Sequence, residues 1–463
     1  MSMPVRRRGV PQSGLKGLFR VPAAIGGSVS DASWTGAAVA GVAAGYALVS
    51  RRLARTPVSD ALVFVGFGVL LGPVGLNLVS LGHDSGPLRT LVEAALTLVL
   101  FVDASTVRPA DLRTEGTLAG RLLSVGLVLT IGAGWLLARP LFPGLTLWEC
   151  ALVGTVLAPT DAALGKGAIS DPRVPSLVRQ TLNVESGLND GLVLPFFVVF
   201  LAAIPGTSYA HEGMAETIWS ALLLSPALGL AVGGLGGRLL RASFDHDWVA
   251  RDWREIFVLA AAVGAYTLAA VTHGSGFIAA WVAGFAFAGV WRGTGRPTVE
   301  LADTTELAED LGGLLAMLSL LFFGAVLLGP ALQHLSWAIV GYALLSLTVI
   351  RMVPVAFALL RSGLKRPTVA YVGWFGPRGL ASVVFGLLVA EEHIQGVEMI
   401  SRVVAVTVGL SVVLHGASAG LLAARYGRWY ERAAAADPAL RESAATPVTP
   451  RRRRLGPIEQ PDG

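Results

Sequence analysis

The chain has 463 residues, 53% of them hydrophobic and only 14% charged, with a mean hydropathy of +0.64, which is far too apolar for a soluble protein of this size. Apolar stretches of 18 residues or more recur from Ser33 to Arg425, so the chain is an all-α polytopic membrane protein, and a membrane β-barrel with short alternating segments is excluded. The formal net charge of +5 does not imply nucleic acid, because the basic residues lie in loops and tails, and the single Cys150 allows neither an internal disulfide nor a thiolate metal site.

In chain order, residues 1–30 carry Arg6, Arg7, Arg8, Lys16 and Arg20 without the compact apolar run of a secretory signal, and read as a mobile tail. Membrane spans are then predicted near 33–50, 58–80, 88–107, 117–139, 145–164, 183–203, 215–240, 256–272, 274–291, 308–328, 335–360, 367–390 and 401–424, about thirteen in all, within a transmembrane unit of residues 31–428. Residues 429–463, rich in Pro, Ala and Arg and containing the run Arg451 to Arg454, read as a disordered basic tail, a solvated end ahead of one touching anionic lipid. Connections alternate between basic (RRLAR, RASFDHDWVARDWRE, RSGLKR) and nearly free of Lys and Arg (LGHDSGP, THGSG, EEHIQGVE), which puts the basic set and the C-terminus in the cytoplasm. An odd span count then leaves the arginines near residue 6 outside, against that same bias.

Two spans are interrupted where lipid would demand a continuous helix: Ala158-Pro159-Thr160-Asp161 in the fifth, and Gly373 to Gly379 (GWFGPRG) in the twelfth. Paired broken helices in the two halves of a chain point to a transport site between inverted repeats, and their offset of seven spans is odd, as inversion requires. Glycine pairs such as Gly68 with Gly72 and Gly187 with Gly191 speak for close packing only.

The chemistry concentrates in ESGLNDG. On a helix, Glu185 and Asn189 share one face at i,i+4, and Ser186 and Asp190 the adjacent one. A charged side chain at the centre of a span costs roughly 2.5–3.5 kcal/mol on insertion scales, so acids here imply a polar cavity and a function. Oxygen ligands suit hard cations, and one buried carboxylate takes either a proton or a cation, the simplest basis for exchange. Ser186 and Asn189 are read either as ion contacts or as hydrogen-bonding partners of neighbouring helices. Asp161, beside Thr160, is read either as an ion ligand or as the cap of a half-helix N-terminus. Arg351 interrupts LLSLTVIRMVPVAFALL and needs a carboxylate, for which Glu185 is the candidate, while Arg378 is fixed by freed carbonyls or by an acid. Asp103 lines a funnel or meets the interface, and His273 and His415 read as ordinary polar residues near span ends.

Taken together, ESGLNDG, APTDAAL, WFGPRGLAS and IRMVPVAFAL resemble, in order and spacing over most of residues 55–425, the motifs of bacterial sodium/proton antiporters of the cation:proton antiporter-1 family. The resemblance implies a thirteen-helix homodimer whose six-helix core moves against a dimer domain. It further implies that Asp190 carries ion and proton, with oxygens from Ser186 and Thr160; that Glu185 pairs with Arg351; that Asn189 replaces a second aspartate found in electrogenic relatives; and that Asp161 supports the crossing of the broken helices. The chain departs from the pattern in having Ala162 after Thr-Asp and Pro159 before it. The expected function is exchange of a monovalent cation, Na⁺ ahead of Li⁺ or K⁺, for H⁺ across the cell inner (plasma) membrane, electroneutrally and without a cofactor. A cation channel and a K⁺/H⁺ exchanger of the same fold are the alternatives. An enzyme is not expected, since neither a metal-ligand His/Cys cluster nor a nucleophile elbow is present.

Overall fold

The computed structural model describes residues 23–444, apart from residues 54–55, 57, 80–85, 108–115, 162–163, 165–170, 208–209, 211–212, 293–297, 393 and 438. The N-terminal basic residues, Ala162 and the Arg451 to Arg454 run therefore lie outside the described residues.

Each predicted window is occupied by helix. In order these are α1 (Ala23–Leu53), α2 (Asp60–Leu71), α3 (Gly86–Thr106), α4 (Gly116–Arg121, a π turn at Leu122–Gly126, then Leu127–Leu141), α5 (Leu147–Val156) and α6 (Ser176–Ala202). There follow α7 (Met214–Trp219, a π turn at Ser220–Leu224, then Ser225–Asp245), α8 (Arg251–Val271), α9 (Gly276–Arg292) and α10 (Thr298–Phe323, a π turn at Gly324–Leu328, then Gly329–Gln333). The last are α11 (Trp337–Leu347 and Val349–Ala358), the broken α12 with halves α12a (Arg366–Trp374) and α12b (Leu380–Glu391), and α13 (Val397–Ala436). Seven of these are long and apolar enough to cross a membrane, and α2, α5, α9 and α12b are shorter apolar helices.

Local sequence sets many of the ends. Ser59 caps α2 by accepting the Leu62 amide, and Ser336 caps α11 through Ile339. Thr146 and Glu149 form a reciprocal capping box at the start of α5. Proline fixes the entry to α6 at Pro175 and to α12a at Pro367. Several helices run beyond their hydropathy windows: α1 starts at Ala23, α6 at Ser176, α10 at Thr298, and α13 continues to Ala436 before a 3₁₀ turn at Arg441–Ser443. A hydropathy window registers only the apolar part of a helix, so polar first and last turns escape it.

Packing separates the helices into two groups. Helices α2, α3, α7, α8, α9 and α10 pack chiefly against one another, with α1 lying on α2. Helices α4, α5, α6, α11, α12 and α13 form the second group, the six-helix set implied by the family resemblance. In the first group α7 lays the stripe Gly229, Gly233 and Gly237 on the backbone of α9, so close that a Cβ at 233 would collide with the Ala283 carbonyl. The interface between the groups runs past α3, α6, α9, α10, α12b and α13, and both breaks lie in the six-helix set.

Candidate ion site at the crossed helix breaks

α5 stops at Val156, and the following residues to Asp161 are non-helical; α12a stops at Trp374, and Phe375 to Gly379 are likewise unwound. The two unwound stretches cross and satisfy one another. The Asp161 amide donates to the Pro377 carbonyl (2.8 Å), and the Asp161 carboxylate accepts the Leu380 amide (3.2 Å) at the first turn of α12b. Asp161 is thus a cap, but on the half-helix of the other repeat, at the positive end of its dipole. Gly379 makes the approach feasible, because a Cβ there would overlap the Asp161 side chain.

Arg378 answers from the other strand. Fully buried, it donates Nη1–H to the carbonyls of Ala158 (2.9 Å) and Pro159 (3.3 Å), the acceptors left bare at the C-terminal end of α5. Carbonyls, one of the two partners anticipated from sequence, hold it. Its own amide donates to Ser411 Oγ (2.7 Å), and Ser382 Oγ donates to the Val156 carbonyl (2.7 Å). His415 bridges the Trp374 carbonyl (Nε2, 2.9 Å) and Ser411 (Nδ1, 3.0 Å to its carbonyl), tying α13 to the end of α12a. Read from sequence as an ordinary polar residue, His415 is part of the support of the break. Ser411 and Ser382 were not singled out there; the i,i+4 pair Ser411 and His415 in an apolar helix is the signal that could have found them.

α6 brings its polar sector to this crossing. Ser186 Oγ donates to the Thr160 carbonyl (2.6 Å), and Asn189 Nδ2 to Thr160 Oγ1 (2.5 Å), so both hydrogen-bond the break. Glu185 turns to α11, where Arg351 meets it as a two-pronged pair (Nη1 to Oε1 2.6 Å, Nη2 to Oε2 2.8 Å), each side chain 3% exposed. Of the acids singled out from sequence, Glu185 is therefore engaged by the Arg351 guanidinium and Asp161 by the crossing. Asp190 differs: it is 7% exposed, and its Oδ1 is buried without a donor, as is Asn189 Oδ1 on the preceding residue. Two acceptor oxygens buried without donors, on consecutive residues, match the chemistry of a hard monovalent cation or a proton. Asp103 of α3 approaches the same sector from the other helix group: a Cβ on Gly187 would stand 3.5 Å from its Cβ. His273 ends α8 in a left-handed turn (φ 58°), away from the crossing in the chain. Among the described residues no cluster of three His, Cys, Asp or Glu could hold a metal ion.

Comparison with known proteins gives these likenesses. The chain is 24% identical over 348 residues to the K(+)/H(+) antiporter NhaP of Alkalimonas amylolytica, covering 72% of this chain and 57% of that protein. It is 26% identical over 394 residues to the K(+)/H(+) antiporter NhaP2 of Shewanella sp. (strain MR-4), covering 84% and 66%. It is 25% identical over 361 residues to Na(+)/H(+) antiporter 2 of Zygosaccharomyces rouxii, covering 73% and 43%. The chain thus spans between 43% and 66% of the length of these relatives. Its fold superposes on that of the sodium proton antiporter MjNhaP1 from Methanocaldococcus jannaschii at pH 8 with a TM-score of 0.69 and 19% identity, covering 86% of this chain and 99% of that one. The profile described as "Sodium/hydrogen exchanger, transmembrane" matches residues 37–425, nearly the whole helical unit with both breaks and the α6 sector, and the chain belongs to that family.

Proposed function

We propose that the chain is a secondary active transporter exchanging a monovalent cation for H⁺ by alternating access, with Asp190 carrying both in turn. The observation that supports this is the buried Asp190 Oδ1 without a donor, while Glu185 and Asp161 nearby are engaged by Arg351 and by α12b. A carboxylate in that position releases its proton when a cation arrives and recovers one when it leaves. Thr160, Ser186 and Asn189 supply further oxygens around it. Relatives named for K⁺ and for Na⁺ leave two substrate readings; Na⁺ leads and K⁺ is the alternative. The six-helix group moves against the seven-helix group, which forms the contact of a homodimer in the inner (plasma) membrane. The basic connections and the C-terminus face the cytoplasm.

The test is reconstitution. Proteoliposomes loaded with a pH-sensitive dye are challenged with Na⁺, Li⁺ and K⁺; Na⁺-driven proton efflux is expected, lost in Asp190→Asn, which can neither release a proton nor neutralise a cation. Substantial exchange by folded Asp190→Asn removes the assignment. Because Asn189 is neutral, one titrating group serves the sector, so one H⁺ is exchanged for one cation, and no net charge crosses. A Na⁺ jump on a supported membrane is expected to give ΔpH without sustained current, with a rate that peaks between the pH where protons outcompete the cation and the pH where they become scarce. A steady current scaling with turnover rules out electroneutral exchange.

A further inference from the structure

The residue after Asp190 is Gly191, and its missing side chain is filled from the other helix group. Trp281, on α9, presses its indole onto α6 so closely that a Cβ at 191 would overlap ring atoms Cε2, Cδ2 and Nε1. Phe285, one turn along α9, stands edge-on to the indole (4.9 Å between centroids, 89°), and both pack with Val184, Leu188 and Leu192 of α6. An aromatic face of the seven-helix group therefore covers the turns of α6 that carry Glu185 to Asp190. Gly191 directly follows Asp190 on α6, so the indole seats on the residue next to the carboxylate-bearing one.

A second observation concerns polarity. The indole Nε1–H is buried without an acceptor. An unpaired buried donor is destabilising, and a phenyl ring would give similar stacking without that cost. Retention of the N–H is accounted for if it gains an acceptor at another stage, when the six-helix group has slid and a different part of α6 faces α9.

We propose that Trp281 is a positioning residue for exchange. In the state described, its indole sits in the Gly191 notch beside Asp190; the cycle requires it to leave the notch, and its Nε1–H is paired once it has. The proposal rests on Asp190 as the carrier, and wild-type and Asp190→Asn proteins assayed alongside separate a failure of that reading from a failure of this one. In proteoliposomes, Gly191→Ala is expected to lower Vmax about tenfold while leaving the cation KM within about twofold, because the methyl group blocks seating and touches no ion ligand. Gly191→Ala/Trp281→Leu, which removes the obstructing ring, is expected to rise above Gly191→Ala and to match Trp281→Leu alone, which lacks the indole N–H and itself runs below the wild-type rate. Unchanged exchange by Gly191→Ala, or a folded and inactive Gly191→Ala that Trp281→Leu does not rescue, overturns the proposal. Should Gly191→Ala fail to fold, Trp281→Phe decides: it keeps the ring and loses the donor, and a Vmax lowered about threefold or more at unchanged KM is expected, whereas a wild-type rate overturns it.

Discussion

Replacing Glu185 by Gln leaves the Arg351 guanidinium buried at 3% exposure with both of its prongs facing a neutral amide. The magnitude follows from the geometry. Charge centres about 4 Å apart attract by roughly 4 kcal/mol at an effective dielectric of 20, and removing one member of a buried pair typically costs about 3–5 kcal/mol, mostly from the uncompensated charge left behind. Arg351 has little room to escape, since it packs under the unwound stretch of α12, where a Cβ on Gly376 would overlap its guanidinium. Arg351→Met should cost a similar amount by stranding Glu185. The double variant Glu185→Gln/Arg351→Met strands no charge and should recover at least about 2 kcal/mol of the summed losses. The assay is a double-mutant cycle on thermal unfolding of the purified protein in detergent, followed by intrinsic fluorescence or by loss of monodisperse protein. Additive losses, with no coupling between the two sites, would refute the pair as the tie between α6 and α11.

Gly379→Ala is expected to disrupt the crossing itself, because its methyl group would occupy the position of the Asp161 carboxylate; exchange should be abolished and unfolding should come at lower temperature, and wild-type exchange by this variant would contradict the crossing. Glu442→Ala removes the acceptor of both the Lys365 amide (2.8 Å) and Thr368 Oγ1 (2.6 Å) at the start of α12a, in a site where Glu442 is 1% exposed. A stability loss of about 1–3 kcal/mol is expected in the same unfolding assay, and protection of the α12a amides in hydrogen exchange should fall; no change in either would show that the turn after α13 does not hold α12a.

The architecture was legible because lipid imposes a simple rule. Every span must be apolar for about twenty residues, so windows of hydropathy locate helices even where packing is unknown. Breaks were legible for the same reason, as Pro159, Thr160 and Asp161 or the GWFGPRG stretch have no place in a lipid-facing helix. The pairing of Glu185 with Arg351 could be inferred from charge alone, since the pair sits in otherwise apolar segments. Helix ends were less legible: the polar first turn of α6 from Ser176 and the last turns of α13 contribute nothing to hydropathy and are placed by Pro175 and by packing of the chain around Glu442. Trp281 was illegible for a different reason. An aromatic residue in an apolar helix looks the same facing lipid, a core or a moving interface, and only the absent Cβ of Gly191 distinguishes them.

The exchange of partners between the two breaks explains why so many charges can stand together without each being an ion ligand. A half-helix ending inside a membrane leaves bare carbonyls and a partial negative charge at its C-terminal end, and bare amides with a partial positive charge at an N-terminal end. The α5 break sends Asp161 to the amide end of α12b, and the α12 break sends Arg378 to the carbonyl end of α5, each answering the dipole of the other. Two residues of opposite charge are thereby consumed by structure, as are Glu185 and Arg351 one layer away. Within the ESGLNDG turn, what remains is a single carboxylate, Asp190, with one buried oxygen that no donor reaches. Charge balance in this core is therefore closed except at one position, and a cation or a proton arriving there completes it.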